Sequence, residues 1–334
     1  MDRMKKGQLS TQFAWIFILI AGALILIFFI SIVYKQKDIS ETKISATVKL
    51  QLDTIFTAAS VSAGTVNQIT TPDMEMNFVC DEDGYSRYDI AKTSIGKDTP
   101  EVIFAPDVIK GRKIISWALG FNAPFKVMNF LYLTSEDVRY IFVFNEGNNF
   151  ANGVYEDFPD EMFKEEVRPS ETLGITDLKS YQTKFIVFSG IESIELPSFF
   201  NGEDVSAIKI TPANVIFYET FGSLDFTSTG NFPYFDKALR YGAIFSEDAT
   251  FYECNVKKAM KKLNFMSQIY AERETQLKLD PTCELFYQEK IAKLMQDASQ
   301  CSNIKTCIPL INADVKEIEN NQKILIRKSC PLLY

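Results

Sequence analysis

The sequence predicts a mixed α+β or α/β protein carried on an N-terminal membrane helix. Three observations lead there. Residues Phe13 to Tyr34 form a run without a charged side chain, long enough as a helix to cross about 30 Å of hydrocarbon. The middle of the chain holds short apolar and aromatic runs separated by turn residues, the pattern of strands. The last third returns to apolar residues spaced by three and four, the period of helices.

The bulk numbers agree with a folded protein. The 334 residues are 46% apolar and 13% aromatic, with 28 Phe and 14 Tyr, which is enough for a sizeable core and too apolar for long disorder. The net charge of −8 describes a solvated acidic exterior. Outside the first six residues there is no basic patch of the kind nucleic acid requires, so nucleic acid is excluded as a partner. Histidine is absent, which removes His-dependent triads and His-ligated metals. Neither G-x-G-x-x-G nor G-x-x-x-x-G-K-[ST] occurs. No catalytic, cofactor-binding or metal-ligating residue is therefore assigned.

Taken in order, residues 1–12 form a basic leader with Arg3, Lys5 and Lys6. Residues 13–34 form the transmembrane helix. The charge bias across it places the N-terminus in the cytoplasm and the bulk of the chain outside. Ala21-Gly22-Ala23 matches a signal-peptidase site, but apolar residues continue directly after it. A cleavage site normally lies at the polar end of the run, so the helix is read as a retained single-pass anchor.

Within the leader, Lys5-Lys6-Gly7 is followed by Gln8-Leu9-Ser10-Thr11-Gln12-Phe13 and then the apolar run. This resembles the class III signal peptide of archaeal type IV pilin-like proteins. The resemblance ends with the apolar run. It implies cleavage by a prepilin peptidase between Gly7 and Gln8, retention of the helix in the mature protein, and other pilin-like subunits as partners beside the lipid bilayer. The family usually has Glu at the fifth mature position, where Gln12 stands here. An amide still hydrogen-bonds, but the charge-assisted bond to a neighbour's terminal amine is lost. Without the resemblance, the stretch reads as a basic flank with Ser10 or Thr11 as helix N-cap.

Residues 35–71 read as an amphipathic stalk helix. Ile44, Val48, Leu52, Ile55, Phe56, Ala59, Ala63 and Val66 share one face, and Thr71-Pro72 ends it. Residues 72–150 read as β-rich. Asp81-Glu82-Asp83-Gly84 sits between strand-like runs and reads as a hairpin turn, since it lacks the ligand spacing of a calcium loop. Further strands are expected at 102–104, 117–121, 125–133 and 138–144. The aromatic stretch around Trp117, Phe121 and Tyr132 is a candidate binding surface, with burial in a core as its competing reading.

Residues 151–250 show a β/α rhythm: a helix over 156–167, then strands at 185–188, 205–210 and 215–218. Near-continuous apolar strands are expected to be covered on both faces. The loop at Ser189-Gly190 is a second candidate for ligand binding.

Residues 251–334 read as helices at 254–277, 283–298 and 312–324. Five of the six cysteines, Cys254, Cys283, Cys301, Cys307 and Cys330, fall there, and Cys80 stands apart. Outside the cytoplasm an even count suggests structural disulfides. An antiparallel helix pair brings Cys254 near Cys301 or Cys307, and a third helix returns Cys330 towards Cys283. The partner of Cys80 stays open.

Three function classes remain. The first is an anchored surface protein with a structural or interaction role. The second is an anchored ligand- or glycan-binding module. The third is an exported hydrolase working through carboxylates alone, for which no acid, Asp204, Glu219 and Asp225 included, is nominated.

Overall fold

The computed structural model describes the backbone of residues 3–81, 86–90, 96–177, 182–192, 194–200, 205–219, 227–277, 280–284 and 286–334. The chain divides into two compact units, residues 1–51 and 52–334. Helix α1 (Arg3–Val61) supplies the first. Within it, Ile18–Gln36 is apolar and has no buried residue. That is the length and composition of a membrane span, and no second span of this kind occurs among the described residues.

The second unit contains two six-stranded sheets. The first is built from β1 (Val66–Cys80), β2 (Ser86–Ile90), β3 (Gly96–Thr99), β4 (Ile103–Phe104), β5 (Val108–Asn122) and β6 (Lys126–Ser135). Its order is β3-β2-β1-β5-β6-β4, antiparallel except where β4 lies parallel to β6. The second is built from β7 (Val138–Val143), β8 (Phe163–Val167), β9 (Gln182–Phe188), β10 (Val205–Ile210), β11 (Asn214–Glu219) and β12 (Thr227–Pro233). Its order is β12-β11-β10-β9-β7-β8. The run from β10 to β8 is parallel, and β11 and β12 close it as an antiparallel meander. Helix α2 (Asn149–Asp157) makes the crossover from β7 to β8, and α3 (Lys237–Phe245) follows the sheet. Then come α4 (Ala249–Leu277), α5 (Pro281–Glu284), α6 (Gln288–Ser299) and α7 (Ile304–Arg327).

The apolar strands of the second sheet are covered on both faces, as their composition predicts. Along β7, Val138, Tyr140 and Phe142 join Ile186, Phe188 and Ile208 in the main core. The alternate residues Ile141 and Val143 join Phe185, Val187 and Ala207 in a second cluster under Ile175, Ile191 and Ile194. A strand has a side-chain period of two, so only a sheet buried on both sides makes every residue of VRYIFV apolar or paired. Arg139 is the exception in composition. It is 2% exposed and its guanidinium donates to both carboxylate oxygens of Glu165 on β8, at 2.9 and 2.6 Å.

The main core is shared by both sheets and the helices. Helix α3 is buried from Ala238 to Phe245 except at Arg240. Trp117 on β5 meets Tyr241 of α3 at 4.8 Å between ring centroids, and the Tyr132 hydroxyl donates to the Ala238 carbonyl at 2.7 Å. Gly242 allows this close approach, because a Cβ there would lie 2.8 Å from the Phe104 ring.

Three expectations need correction. The helix expected to reach residue 71 ends at Val61. Gly64 adopts a positive φ of 81°, which glycine tolerates at a helix end, and the β-branched run from Val66 enters β1. Pro72 then lies in the strand, where the β1–β5 register shifts between Thr70 and Met74, and such a bulge is where a strand accepts proline. The helix expected over 156–167 is instead the end of α2 followed by β8. Asn148 caps α2 by accepting from the Ala151 N–H at 3.1 Å, and Phe158-Pro159 stops it. The helix expected over 283–298 is broken into α5 and α6. The hairpin reading at 81–84 holds in its strands, with Cys80 opposite Ser86, while residues 82–85 lie outside the described set.

The Gly242 contact yields a test. Gly242→Ala forces a methyl into the Phe104 ring and should lower stability by about 1–3 kcal/mol. Urea unfolding of the second unit's signal, compared with Gly153→Ala on the open face of α2, measures it.

Candidate functional site

A cleft of about 850 Å³ opens between the end of β1, the start of β5 and one side of α4. That volume lies within the range of ligand-binding pockets. Asn77 to Asp81 form one wall, and Asp107 and Val108 continue it. Thr250, Glu253, Cys254, Lys257, Lys258 and Lys261 form the other, with Cys301 and Ser302 at its edge. The α4 residues are spaced by three and four, so one helical face supplies them all.

The two walls are joined by a covalent bond and a polar knot. Cys80 at the end of β1 is bonded to Cys254 on α4, with Cα atoms 6.1 Å apart. Ser86, paired with Cys80 across the hairpin, accepts a hydrogen bond from the Lys258 ammonium at 2.6 Å. Lys258 also donates to the Glu101 carbonyl at 3.0 Å. The side-chain amide of Asn255, itself fully buried, donates to the Phe251 carbonyl at 3.1 Å and so braces the same turn of α4. Lys258 is 4% exposed, and loss of hydration pushes its ammonium down to about 7. A buried lysine costs least when its protons are all spoken for, which explains the two donated bonds.

At the start of α4, Asp248 accepts from the Phe251 N–H at 2.7 Å and caps the helix. Asp107 lines the cleft from the other wall. Partial shielding from water, reinforced by repulsion from Glu247 and Asp248, pushes the Asp107 carboxyl up to about 6. Below this wall Lys184, 4% exposed, donates to the Ser246 carbonyl. Burial lowers it to about 8, against the pull of Glu247, Asp248 and Asp107. The cleft thus carries Asp107 and Asp248 near the first turn of α4 and three lysines roughly 14–20 Å further along the helix axis. Such a mixed lining suits a ligand with many hydrogen-bonding groups or with charges of both signs.

Most residues singled out from sequence lie elsewhere. Trp117, Phe121 and Tyr132 are 5%, 0% and 0% exposed. They belong to the central strands of the first sheet, and their rings pack on Tyr241, Phe130 and Phe104. The binding surface expected there is core. Gly7 and Gln8 fall within the backbone of α1, and their side chains lie outside the described residues. So do Asp204, Asp225 and the side chain of Glu219. The turn at Ser189-Gly190 leaves the second sheet and does not line the cleft.

The cysteines form three disulfides. Cys283 with Cys330 is as expected. Cys254 pairs with Cys80 and not with Cys301 or Cys307, which pair with each other. Cys301 does line the same cleft as Cys254, but the partner of Cys254 comes from the β1–β2 hairpin. The residues missed from sequence are Lys258, Ser86, Asn255 and Asp107. The one available signal was the lysine run of α4, in which Lys258 stands at a core-facing step between Cys254 and Lys261.

Comparison with family models, with curated proteins and with solved structures gave no match.

The lysines set a pH dependence. Lys258 and Lys184 both sit below the ordinary lysine value in the folded state. Between those values and that of the unfolded chain, the unfolded chain holds more protons, so their contribution makes stability rise with pH from about neutral upwards. Urea midpoints should climb from neutral to mildly alkaline pH, and Lys258→Met should remove about half of the climb. An unchanged slope would put the Lys258 ammonium in water.

Proposed function

We propose that the protein is a single-pass, membrane-anchored surface protein whose residues beyond the anchor work outside the cytoplasm in a structural or interaction role. The observation that carries this reading is the exposed apolar helix segment Ile18–Gln36 on a chain whose remaining fold is tied by three disulfides. An apolar face of that length in water is unfavourable by tens of side-chain burials, and a bilayer removes the cost. Disulfides persist in oxidising surroundings, which supports a position outside the cytoplasm for the tied fold. The basic residues ahead of the segment agree with that orientation.

The Lys5-Lys6-Gly7-Gln8 order supports a finer reading, in which a prepilin-type peptidase removes residues 1–7 and the helix stays in the mature chain. Gln12 in place of the family's usual Glu leaves anchoring intact and weakens the case for packing into a filament. A second reading is favoured by the cleft beside α4: the anchored fold presents a binding site for a peptide or glycan. That site replaces the aromatic stretch from Trp117 to Tyr132 as the place for such a ligand.

The processing claim has a direct test. Intact mass of the protein extracted from native membranes should correspond to a chain beginning at Gln8, and Gly7→Val should leave the leader attached. Retention of residues 1–7 in the unmodified protein would remove the pilin-like reading. Extraction by detergent but not by salt or alkaline carbonate is expected in either case. Release by salt would remove the anchor itself.

A further inference from the structure

The three disulfides differ in one respect that bears on their chemistry. Cys283, Cys330, Cys301 and Cys307 are 7%, 8%, 9% and 6% exposed, whereas Cys80 and Cys254 are both partly exposed. Both residues also line the 850 Å³ cleft, which the buried Cys301 touches only at its edge, so a thiol of ligand size has room to approach the Cys80–Cys254 bond. We infer that Cys80–Cys254 is a site of thiol–disulfide exchange with an external dithiol, and that the other two bonds are structural.

The surroundings of Cys254 support the inference. Lys257, Lys258 and Lys261 follow it by three, four and seven residues on α4, which is the same helical face. All three line the cleft with it. Cations beside a sulfur stabilise its thiolate and make it the better leaving group. Asp81, whose carbonyl lies 3.5 Å from the Cys254 sulfur, and Glu253, which pairs with Lys257 at 2.9 Å, oppose this in part. The step balances as follows. An external thiolate attacks the sulfur of Cys80, a new sulfur–sulfur bond forms, and Cys254 leaves as a thiolate with the bonding electron pair. The second thiol of the dithiol then loses its proton, attacks the mixed disulfide and releases Cys80, so the dithiol is oxidised and the protein bond reduced.

The fold is built to survive this. When the bond opens, Lys258 still joins α4 to Ser86 at the residue facing Cys80, and Lys258 with Ser86 is buried. The α4 wall and the β1–β2 hairpin therefore stay docked when the bond opens, and the cleft lining changes from a disulfide to two thiols without unfolding of the core. Exchange at this site is independent of the membrane reading.

The test uses the full chain in detergent. Graded dithiothreitol without denaturant, followed by alkylation and peptide mass mapping, should label Cys80 and Cys254 at a concentration about tenfold below that needed for the other four cysteines. Near-ultraviolet circular dichroism should be retained at that point. Labelling of Cys301 and Cys307 or of Cys283 and Cys330 at the same or lower concentration would overturn the inference, as would labelling that appears only with loss of the folded spectrum. Lys257→Gln combined with Lys261→Gln, both on the cleft face, should slow the opening several-fold. An unchanged rate in that variant would overturn the role given to the lysines.

Discussion

The joint between α4 and the β1–β2 hairpin holds the second unit in its form. Helix α4 is the longest element there, and its buried face runs through Tyr252, Val256, Met260 and Leu263 into the shared core. At its N-terminal half that face must end against β2 and the chain entering β4, where backbone carbonyls and a serine hydroxyl need partners. Lys258 and Asn255 meet that need. A buried charge of this kind contributes little net stability. Its value is in register, because an α4 slipped by one residue would part Lys258 from Ser86 in a region sealed from water.

The disulfide acts on a different part of the free energy. Cys80 and Cys254 are separated by 174 residues, a span that includes most of both sheets. Closing so long a loop reduces the entropy of the unfolded chain more than a short loop does, by a few kcal/mol in the chain-entropy account. Cys301 and Cys307 are only six apart and restrict the unfolded chain far less. The bond that has most leverage on folding is thus the one open to the cleft. Lys258 removes the conflict, because once the chain has folded the buried knot maintains the joint that the disulfide established.

How much of this was legible in the sequence follows from range. Periodicity is local, so β7, β9 and β10 were readable from runs such as VRYIFV and FIVF, and their burial on both faces followed from the absence of alternation. Helix ends were less legible where two stop signals competed. Thr71-Pro72 looked stronger than Gly64, yet a bulge absorbs a proline and only glycine adopts the φ found at position 64 at no cost. The aromatic run from Trp117 to Tyr132 carries two readings, groove and core, and its burial bears out the second. A groove and a core demand the same residue types, and only the sheet order, which puts β5 and β6 inside, separates them.

The pairing of Cys80 was beyond local reasoning altogether. Helical geometry constrains the five C-terminal cysteines against one another, and Cys301 does line the same cleft as Cys254. It could not supply the hairpin, which arrives from 174 residues away and depends on the register of β1 against β5. The cleft arises the same way. None of Asp107, Cys80 and Lys258 lies near another in sequence, and each has a bland local reading as a turn acid, a strand cysteine and a helix-surface lysine. Their chemistry appears only when two long-range contacts, β1 on β5 and α4 on the hairpin, place them on facing walls. A cleft made this way leaves no motif that spans it, because each wall comes from a different part of the chain.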